Sequence, residues 1–250
     1  MDKALYVAMT GARASLQAQG TVSHNLANVD TKGFKAALAG TEAFKIEGKG
    51  FPSRVDAVLI DPGFDSRVGA QMSTGRSLDV SLQPGRWLAV QAADGSTAYT
   101  RNGELSVTPN GQLVTAGGRP LLDENSNPIA IPPAQALDIG ADGTVSIIPQ
   151  GEGAQTMAMV SRLRIVDVPA SQLDRGADGL MRQSDPQQPP PGMAQGNSLT
   201  TGVLEGSNVD AAGALVQMIQ LQRQFEMQVK VIRTGDDMAQ SSNQLLRLGG

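Results

Sequence analysis

Residues 25–35 read Asn-Leu-Ala-Asn-Val-Asp-Thr-Lys-Gly-Phe-Lys, and they close a long N-terminal segment that is almost free of charge. Between residues 4 and 29 the only formally charged side chain is Arg13. A surface helix normally has one charged, solvated face, so a helix without one needs neighbours on most sides. The stretch therefore predicts a helix packed against other helices or subunits. Burial of that helix inside a single globular domain is the alternative interpretation.

Apolar or small residues repeat along this segment at the spacing of one helix face. The stripe consists of Leu5, Met9, Ala12 and Leu16, and it resumes at Leu26 after polar Gln19 and Ser23. Spacings of three and four residues are typical of a coiled-coil seam, here with a weak middle. We expect the helix to end at Thr31-Lys32-Gly33, because glycine readily adopts the left-handed conformation that follows a helix.

A stricter repeat occupies the C-terminal segment. Every seventh residue after Ala211 is apolar, namely Met218, Phe225, Ile232, Ala239 and Leu246. Leu215 and Val229 lie on a neighbouring face that they share with polar residues. One complete seam beside a broken one predicts coiled-coil packing. Ser207, Asn208 or Asp210 could each cap the start of this helix.

The composition excludes several classes of function. The 250 residues carry a net charge of −4 without a cluster of Lys and Arg, which argues against nucleic acid as a partner. There is no cysteine, so disulfides, thiolate catalysis and Cys-ligated metals are excluded. The short apolar run at residues 4–9 is not followed by a cleavage site, and no apolar run reaches the roughly 18 residues of a membrane span. We therefore expect neither a cleaved signal peptide nor direct membrane insertion.

The middle of the chain has the pattern of an antiparallel sheet. Five Asx-Gly pairs stand at 94–95, 102–103, 110–111, 142–143 and 178–179. Asx-Gly is a strong hairpin signal because both residues tolerate positive φ. We expect a meander-rich β domain with strands at 78–82, 87–91, 104–107, 112–114, 129–131, 137–139, 144–148, 162–168 and 179–182.

These segments together predict an α+β fold in which a mainly antiparallel β domain is inserted between long N- and C-terminal helices. Residues 1–35 and 205–250 would form a coiled-coil-like helical assembly domain. Residues 36–77 would be an extended linker arm, with a possible strand at 55–60. Residues 78–204 would be the β domain, closed by a proline-rich return loop at 185–192.

The sequence offers little for catalysis or metal binding. His24 is the only histidine, so a site with several histidines is excluded. Residues 123–127 resemble the first half of a calcium loop, but Pro128 replaces the required glycine and Ala134 the bidentate glutamate, which favours a plain turn. No phosphate loop and no nucleophile elbow is present. We predict no catalytic, cofactor-binding or metal-binding residue, and no cofactor.

Several blocks, in the same order, resemble the flagellar basal-body rod and hook protein family. The N-terminal signature is carried by Asn25, Leu26, Ala27, Asn28, Thr31, Gly33 and Phe34, although His24 replaces the first Asn of the family's usual form. The C-terminal signature is carried by Ser207, Asn208 and Val209. Residues 78–82, 99–103, 111–114 and 140–145 resemble the family's β-domain blocks. Within the family, residues 1–6, 87–95 and 202–208 are most similar to subunits of the proximal rod, and a distal rod or other axial subunit is the alternative.

The resemblance implies a structural protein that assembles with other rod subunits. It also implies passage through the flagellar export apparatus without a cleaved signal, a location in the rod that spans the periplasm, and terminal helices that fold on assembly into a torque-transmitting tube. The partner-binding seams of these helices would be Leu5, Met9, Ala12, Leu16, Leu26, Leu215, Met218, Phe225, Val229, Ile232 and Leu246.

Two other classes of function are weaker interpretations. One is a secreted β-rich binding module whose helices only trimerise it, but coiled-coil stalks usually keep charged flanking positions that the N-terminal helix lacks. The other is an enzyme on a β scaffold, which the empty search for catalytic motifs disfavours.

Overall fold

The computed structural model describes residues 2–45, 55–60, 62–151 and 157–248. Helices lie near both ends of the chain and antiparallel strands lie between them, which confirms the α+β class. The chain forms two compact units. The helical unit comprises Met1–Ala27, Ala37–Pro62 and Asp210–Gly250, and the β unit comprises Asn28–Ala36 and Gly63–Val209. The predicted borders at 35, 77 and 204, between the helical assembly domain, the linker arm and the β domain, remain a prediction.

Helices α1 (Asp2–Ala27) and α2 (Ala211–Leu248) pack side by side in the helical unit. They run antiparallel, since Leu5 lies beside Gly235 while Ser15 donates a hydrogen bond to Gln228 at 3.4 Å. The buried face of α1 consists mainly of small residues, namely Ala8, Ala12, Ser15, Ala18 and Val22. Small side chains let two helices approach closely. Gly11 fits this pattern, because a Cβ atom at this position would lie only 2.7 Å from Gln228 Nε2 of α2.

The ends of the two helices differ in how well the sequence predicts them. Asp210 caps α2, because its carboxylate accepts the Ala212 N–H at 3.1 Å. Helix α1 ends at Ala27, so the predicted end at Thr31-Lys32-Gly33 is wrong. After Ala27 the chain turns, and the Thr31 N–H donates to the Asn28 carbonyl at 3.2 Å. Gly33 does adopt a positive φ of 68°, but for a close approach within the β unit that is described below.

A hairpin completes the helical unit. Strands β1 (Gly40–Lys45) and β2 (Val55–Ile60) pair antiparallel, with Gly40 opposite Ile60 and Lys45 opposite Val55. The strand expected at residues 55–60 is therefore confirmed.

The β unit contains short strands that pair only antiparallel. Its strands are β3 (Gln71–Ser73), β4 (Val80–Leu82), β5 (Arg86–Gln91), β6 (Thr97–Thr100), β7 (Leu105–Val107), β8 (Leu113–Thr115), β9 (Ala134–Ile139), β10 (Thr144–Pro149), β11 (Ala158–Arg162), β12 (Ile165–Asp167), β13 (Leu173–Arg175), β14 (Met181–Gln183), β15 (Leu199–Thr201) and β16 (Val203–Glu205). A short 3₁₀ helix covers Ala170–Gln172. The largest sheet has five strands in the order β12-β5-β6-β14-β13, and β9, β10 and β11 form a three-stranded sheet. The sequence predicts a strand at residues 129–131, but of these three only Ala130 forms a bridge, an isolated one to Gln112.

Four of the five Asx-Gly pairs form the predicted hairpin turns. Gly95, Gly111, Gly143 and Gly179 have φ between 78° and 87°. They join the paired strands β5–β6, β7–β8, β9–β10 and β13–β14. The fifth pair, Asn102-Gly103, links β6 to β7, which lie in different sheets. Gly103 is needed there for another reason, since a Cβ atom at this position would overlap the Val80 carbonyl.

Strand β5 separates two parts of the apolar core. Leu88 and Val90 point into the larger cluster of aliphatic side chains, which also includes Leu105. Trp87 and Ala89 point into a smaller cluster, where the Trp87 ring meets Phe64 edge to face with centroids 5.7 Å apart. Both faces of β5 are thus buried, which explains its continuous apolar run.

The acidic stretch at residues 123–127 forms a turn, as predicted. One oxygen of the Asp123 carboxylate accepts the N–H groups of Asn125 and Asn127, each at 2.8 Å. This carboxylate is therefore used to close the turn.

Candidate functional site

A fully buried carboxylate lies where the last strand of the β unit ends. Glu205, the final residue of β16, has a side-chain exposure of 0%. One of its oxygens accepts Lys35 Nζ at 2.6 Å and the Gly69 N–H at 3.1 Å. The other accepts two nitrogens of Arg101, Nε at 2.9 Å and Nη2 at 2.5 Å. We call Lys35, Arg101 and Glu205 the buried ion cluster.

The cluster has one more positive charge than negative, and backbone carbonyls solvate the excess. Arg101 also donates to the carbonyls of Leu82, Gln83 and Arg86 at 2.7–3.1 Å. Lys35 donates a second hydrogen bond to the Arg67 carbonyl at 2.6 Å. A buried charge is tolerated only when its hydrogen-bonding capacity is satisfied in this way.

The pKa of Glu205 is lowered by the two cationic side chains of the cluster. Burial acts to raise this pKa, but the hydrogen bonds and charges of Arg101 and Lys35 outweigh burial and hold it below its ordinary value near 4.5. The ionised form of Glu205 is therefore the one that stabilises the fold.

This gives a prediction for the pH dependence of stability. Because the folded-state pKa of Glu205 is lowered, its contribution is complete above about pH 4.5 and disappears as the pH falls through the lower folded value. We expect the difference in free energy of unfolding between the wild type and Glu205→Gln to shrink steadily between pH 5 and about pH 2. Urea denaturation at several pH values measures it. A difference that stays constant down to pH 3 would contradict the assignment.

Close backbone contacts surround the cluster, and two glycines permit them. A Cβ atom at Gly33 would overlap the backbone of Arg101, and one at Gly69 would overlap the Gly206 carbonyl. The Gly33 N–H donates to the Glu205 carbonyl at 2.8 Å. Gly33 of the predicted N-terminal signature is therefore required by its approach to the cluster.

Two asparagines of the predicted signatures hold neighbouring segments of the chain together, one within each unit. In the β unit, the Asn208 side chain accepts the Ala36 N–H at 2.7 Å and donates to the carbonyls of Asp65 and Arg67 at 2.9 and 3.0 Å. In the helical unit, the Asn25 amide exchanges two hydrogen bonds of 2.8 Å with the backbone of Ala37. Asparagine suits both places because its amide donates and accepts at once.

The other signature residues have smaller roles. The Phe34 ring lies beneath the Arg175 guanidinium, 4.7 Å from the ring centroid, and Arg175 also donates to the Lys35 carbonyl. The Thr31 hydroxyl donates to the Asn28 side chain at 3.1 Å, and the Ser207 hydroxyl accepts the Val209 N–H at 3.2 Å. Leu26 is half-buried and Ala27 is exposed at the end of α1.

The predicted helix seams divide between the inside and the outside of the helix pair. Ala12 is buried, and Leu5, Leu26, Met218, Phe225, Val229 and Ile232 are half-buried. Met9, Leu16 and Leu215 are exposed by 50–55%. The side chain of Leu246 lies outside the described residues. The role of these residues in binding partners stays a prediction.

Sequence reasoning did not single out the three charged residues of the cluster. Each stands in or beside one of the predicted family blocks: Lys35 directly follows Phe34 of the N-terminal signature, Arg101 lies in the block 99–103, and Glu205 lies two residues before Ser207 of the C-terminal signature. The available signal was a charged residue beside apolar residues in each of these places, which marks side chains that need buried partners.

The described part of the chain holds neither a metal-binding cluster nor a membrane-spanning helix. Among residues 2–45, 55–60, 62–151 and 157–248 no group of three or more His, Cys, Asp or Glu side chains is placed to hold a metal ion. In the same part of the chain no helix has the length and apolarity that a membrane crossing requires.

The comparisons with known proteins match both signatures and the β unit. The family model for flagella basal body rod proteins matches residues 5–35. The model for the D1 domain of the flagellar hook protein FlgE/F/G matches residues 85–147. The model for the C-terminal part of the flagellar basal body rod FlgEFG protein matches residues 200–245. The chain is 44% identical to the flagellar basal-body rod protein FlgF of Escherichia coli K12, over 99% of this chain and 100% of that protein. The chain belongs to the flagellar basal-body rod protein family.

Other relatives agree with this assignment. FlgF of Salmonella typhimurium is 41% identical over 99% of this chain and its own full length. The rod protein FlgG of Buchnera aphidicola from Schizaphis graminum is 34% identical over 98% of this chain and all of that protein. These families are structural rod proteins, so the predictions of a rod-family protein and of a structural rather than enzymatic role are confirmed.

Proposed function

We propose that this protein is an axial subunit of the proximal rod, which assembles with itself and with other rod subunits through its terminal helices. The observation that carries the proposal is an apolar surface on the outside of the antiparallel helix pair. The rod-family match supports the structural role, and the exposed apolar side chains indicate which faces would be buried in the assembly.

On α2 the outer apolar stripe consists of Val216, Met227, Val231 and Met238, which are 53–62% exposed. Spacings of eleven, four and seven residues place them on one face of the helix. On α1 the exposed residues Tyr6, Met9 and Leu16 are three and seven residues apart and 54–59% exposed. Large apolar side chains that recur, exposed, on one helix face favour an interaction with other chains, although Gln220, Arg223 and Thr234 interrupt the α2 stripe.

The inner seam of α2 is already occupied within the chain. Met218, Phe225 and Ile232 are half-buried, and Gln228 and Gly235, three residues after two of them, meet α1. We therefore propose that the coiled-coil-like contacts between subunits use the outer stripes and surround this intramolecular pair. Of the seam residues predicted from the sequence, Met9 and Leu16 belong to these outer stripes, whereas the exposed Leu215 lies on a different face of α2.

The location and route of the protein belong to the same proposal. A proximal rod subunit would pass through the flagellar export apparatus without a cleaved signal and would assemble in the part of the rod that crosses the periplasm. The match to basal-body rod proteins supports a place in the basal body. In the assembled state, residues 1–35 and 205–250 would be the packing domain, and residues 78–204 would form an outer layer.

Charging the outer stripe tests the proposal. We expect the double variant Met227→Lys, Val231→Lys to lower incorporation into basal bodies, and swimming in a strain that lacks the native subunit, by at least about tenfold. The physical reason is that two buried, unpaired ammonium groups cost several kcal/mol in an interface. The midpoint of urea unfolding of the purified chain should stay within experimental error, because both side chains are exposed in the monomer.

The matched control is the double variant Gln217→Lys, Gln240→Lys, which adds the same two charges at exposed polar positions of the same helix. This variant should assemble like the wild type. Normal incorporation of the Met227→Lys, Val231→Lys variant would overturn the assignment of the outer stripe, and equal loss in the control would show that added charge alone is harmful.

A further inference from the structure

We infer that the buried ion cluster imposes an order on the packing of two chain segments, and we call this arrangement the latch. Residues 203–208 pack on the rest of the β unit first and form the surface to which residues 33–36 then bind. Packing of residues 33–36 would require residues 203–208, whereas packing of residues 203–208 would not require residues 33–36. This inference concerns the isolated chain and does not depend on the proposed place in the rod.

Residues 203–208 have partners that do not involve residues 33–36. Strand β16 pairs with β3, and Val203 and Glu205 lie opposite Ser73 and Gln71. The Gly206 N–H donates to the Ala70 carbonyl at 2.7 Å. Two nitrogens of Arg101 bind one oxygen of the Glu205 carboxylate. This segment therefore retains a strand pairing and an ion pair when the N-terminal side is absent.

Residues 33–36, in contrast, depend mostly on residues 205–208. The Gly33 N–H donates to the Glu205 carbonyl at 2.8 Å, and the Phe34 carbonyl accepts the Asn208 N–H at 3.3 Å. Lys35 binds the Glu205 carboxylate, and the Ala36 N–H donates to the Asn208 side chain. Each of these four residues thus has one contact to the C-terminal side.

The remaining contacts of this segment are partly built by the C-terminal side as well. Lys35 Nζ reaches the Arg67 carbonyl, and the Ala36 carbonyl accepts the Asp65 N–H at 2.8 Å. The Asn208 side chain holds the carbonyls of both Asp65 and Arg67. Arg175 also donates to the Lys35 carbonyl.

The charges impose the same order. The charged groups that face the site are Lys35, Arg101, Glu205, the Asp65–Arg67 pair and Arg175. If Lys35 docked before Glu205, a buried ammonium would lie close to the Arg101 guanidinium with no carboxylate between them. If Glu205 docks first, Arg101 already neutralises it. A buried like-charge contact is strongly unfavourable, so the second order is favoured because Lys35 and Arg101 then never meet without the Glu205 carboxylate between them.

Amide hydrogen exchange on the full-length chain tests the latch, with each probe chosen away from the substituted side chain. Asn208→Ala removes the acceptor of Ala36, so Gly33, which is bonded to the Glu205 carbonyl, is the informative amide. We expect exchange at Gly33 to accelerate by at least about tenfold. In Glu205→Gln the informative amide is Ala36, and we expect a similar acceleration there.

Lys35→Met supplies the reverse experiment. It should accelerate exchange at Gly33 and Ala36 but leave the Gly206 amide, which is bonded to Ala70, within about threefold of the wild type. The control variant Arg182→Met removes the Arg182–Asp178 ion pair of the β13–β14 hairpin and should change none of these amides.

Two results would overturn the inference. Unchanged exchange of Gly33 in Asn208→Ala and of Ala36 in Glu205→Gln would show that the two segments are not coupled. Acceleration at Gly206 in Lys35→Met as large as that at Gly33 would show coupling without an order. Asn208→Ala keeps all three charges, so it provides the test even if Glu205→Gln does not fold.

Discussion

Replacing Glu205 with alanine should lower the free energy of unfolding by about 3–5 kcal/mol, the range found when one partner of a buried ion pair is removed. The substitution would leave Lys35 and Arg101 buried with side-chain exposures of 1% and 2% and with no carboxylate between them. Urea denaturation of the purified protein at pH 7 measures the change. For a β unit of this size it corresponds to a fall in Tm of roughly 6–20 °C.

Two other substitutions provide reference values for this loss in the free energy of unfolding. Lys35→Met should cost less than Glu205→Ala, because it leaves Arg101 and Glu205 as a balanced pair. Asp178→Asn should cost about 1 kcal/mol or less, because the Asp178–Arg182 pair is partly exposed, with side-chain exposures of 24% and 33%. If Glu205→Ala proved no more damaging than Asp178→Asn, the cluster would have no special role in holding the fold.

Gly33→Ala should also be strongly destabilising, by about 2–5 kcal/mol. A non-glycine residue at a φ of 68° costs about 1–2 kcal/mol, and overpacking against fixed atoms adds about 1–3 kcal/mol. The atoms in question are backbone atoms of Arg101, which cannot move aside as a flexible side chain would. Thermal unfolding followed by circular dichroism is a suitable measurement.

Gly118→Ala is the matched control for the conformational part of that cost. Gly118 has nearly the same φ, 72°, but a Cβ atom there would meet nothing within 4 Å. We expect it to lose only the conformational share, about 1–2 kcal/mol. Equal losses in the two variants would mean that the contact between Gly33 and Arg101 contributes nothing.

The sequence was most informative where structure depends on neighbouring residues. Four Asx-Gly turns and the strands on either side of them were predictable, because the positive φ that each turn needs at its second residue is a local requirement that glycine meets without strain. Asp210 was one of three candidate caps and is the one that binds the α2 N-terminus. The heptad of Met218, Phe225 and Ile232 correctly indicated a long C-terminal helix, since helix periodicity is also local.

The failures occurred where distant parts of the chain meet. The predicted end of α1 was wrong because Gly33 has the conformation of a helix terminator for a different reason, its approach to Arg101. Asn102-Gly103 was predicted as a hairpin turn, yet its glycine serves the contact with Val80. The ion cluster could not be derived from periodicity, because a buried charge is recognisable only once its partner has been located.

The distance along the chain between Lys35 and Glu205 has a consequence in time. They are separated by 170 residues, and at about 5–20 residues per second a ribosome needs roughly 9–34 s to synthesise that stretch. Throughout that interval the Glu205 carboxylate that binds Lys35 does not yet exist, and afterwards a large loop must still close. Every newly made molecule therefore passes through a period in which its N-terminal segment is complete but has nowhere to dock.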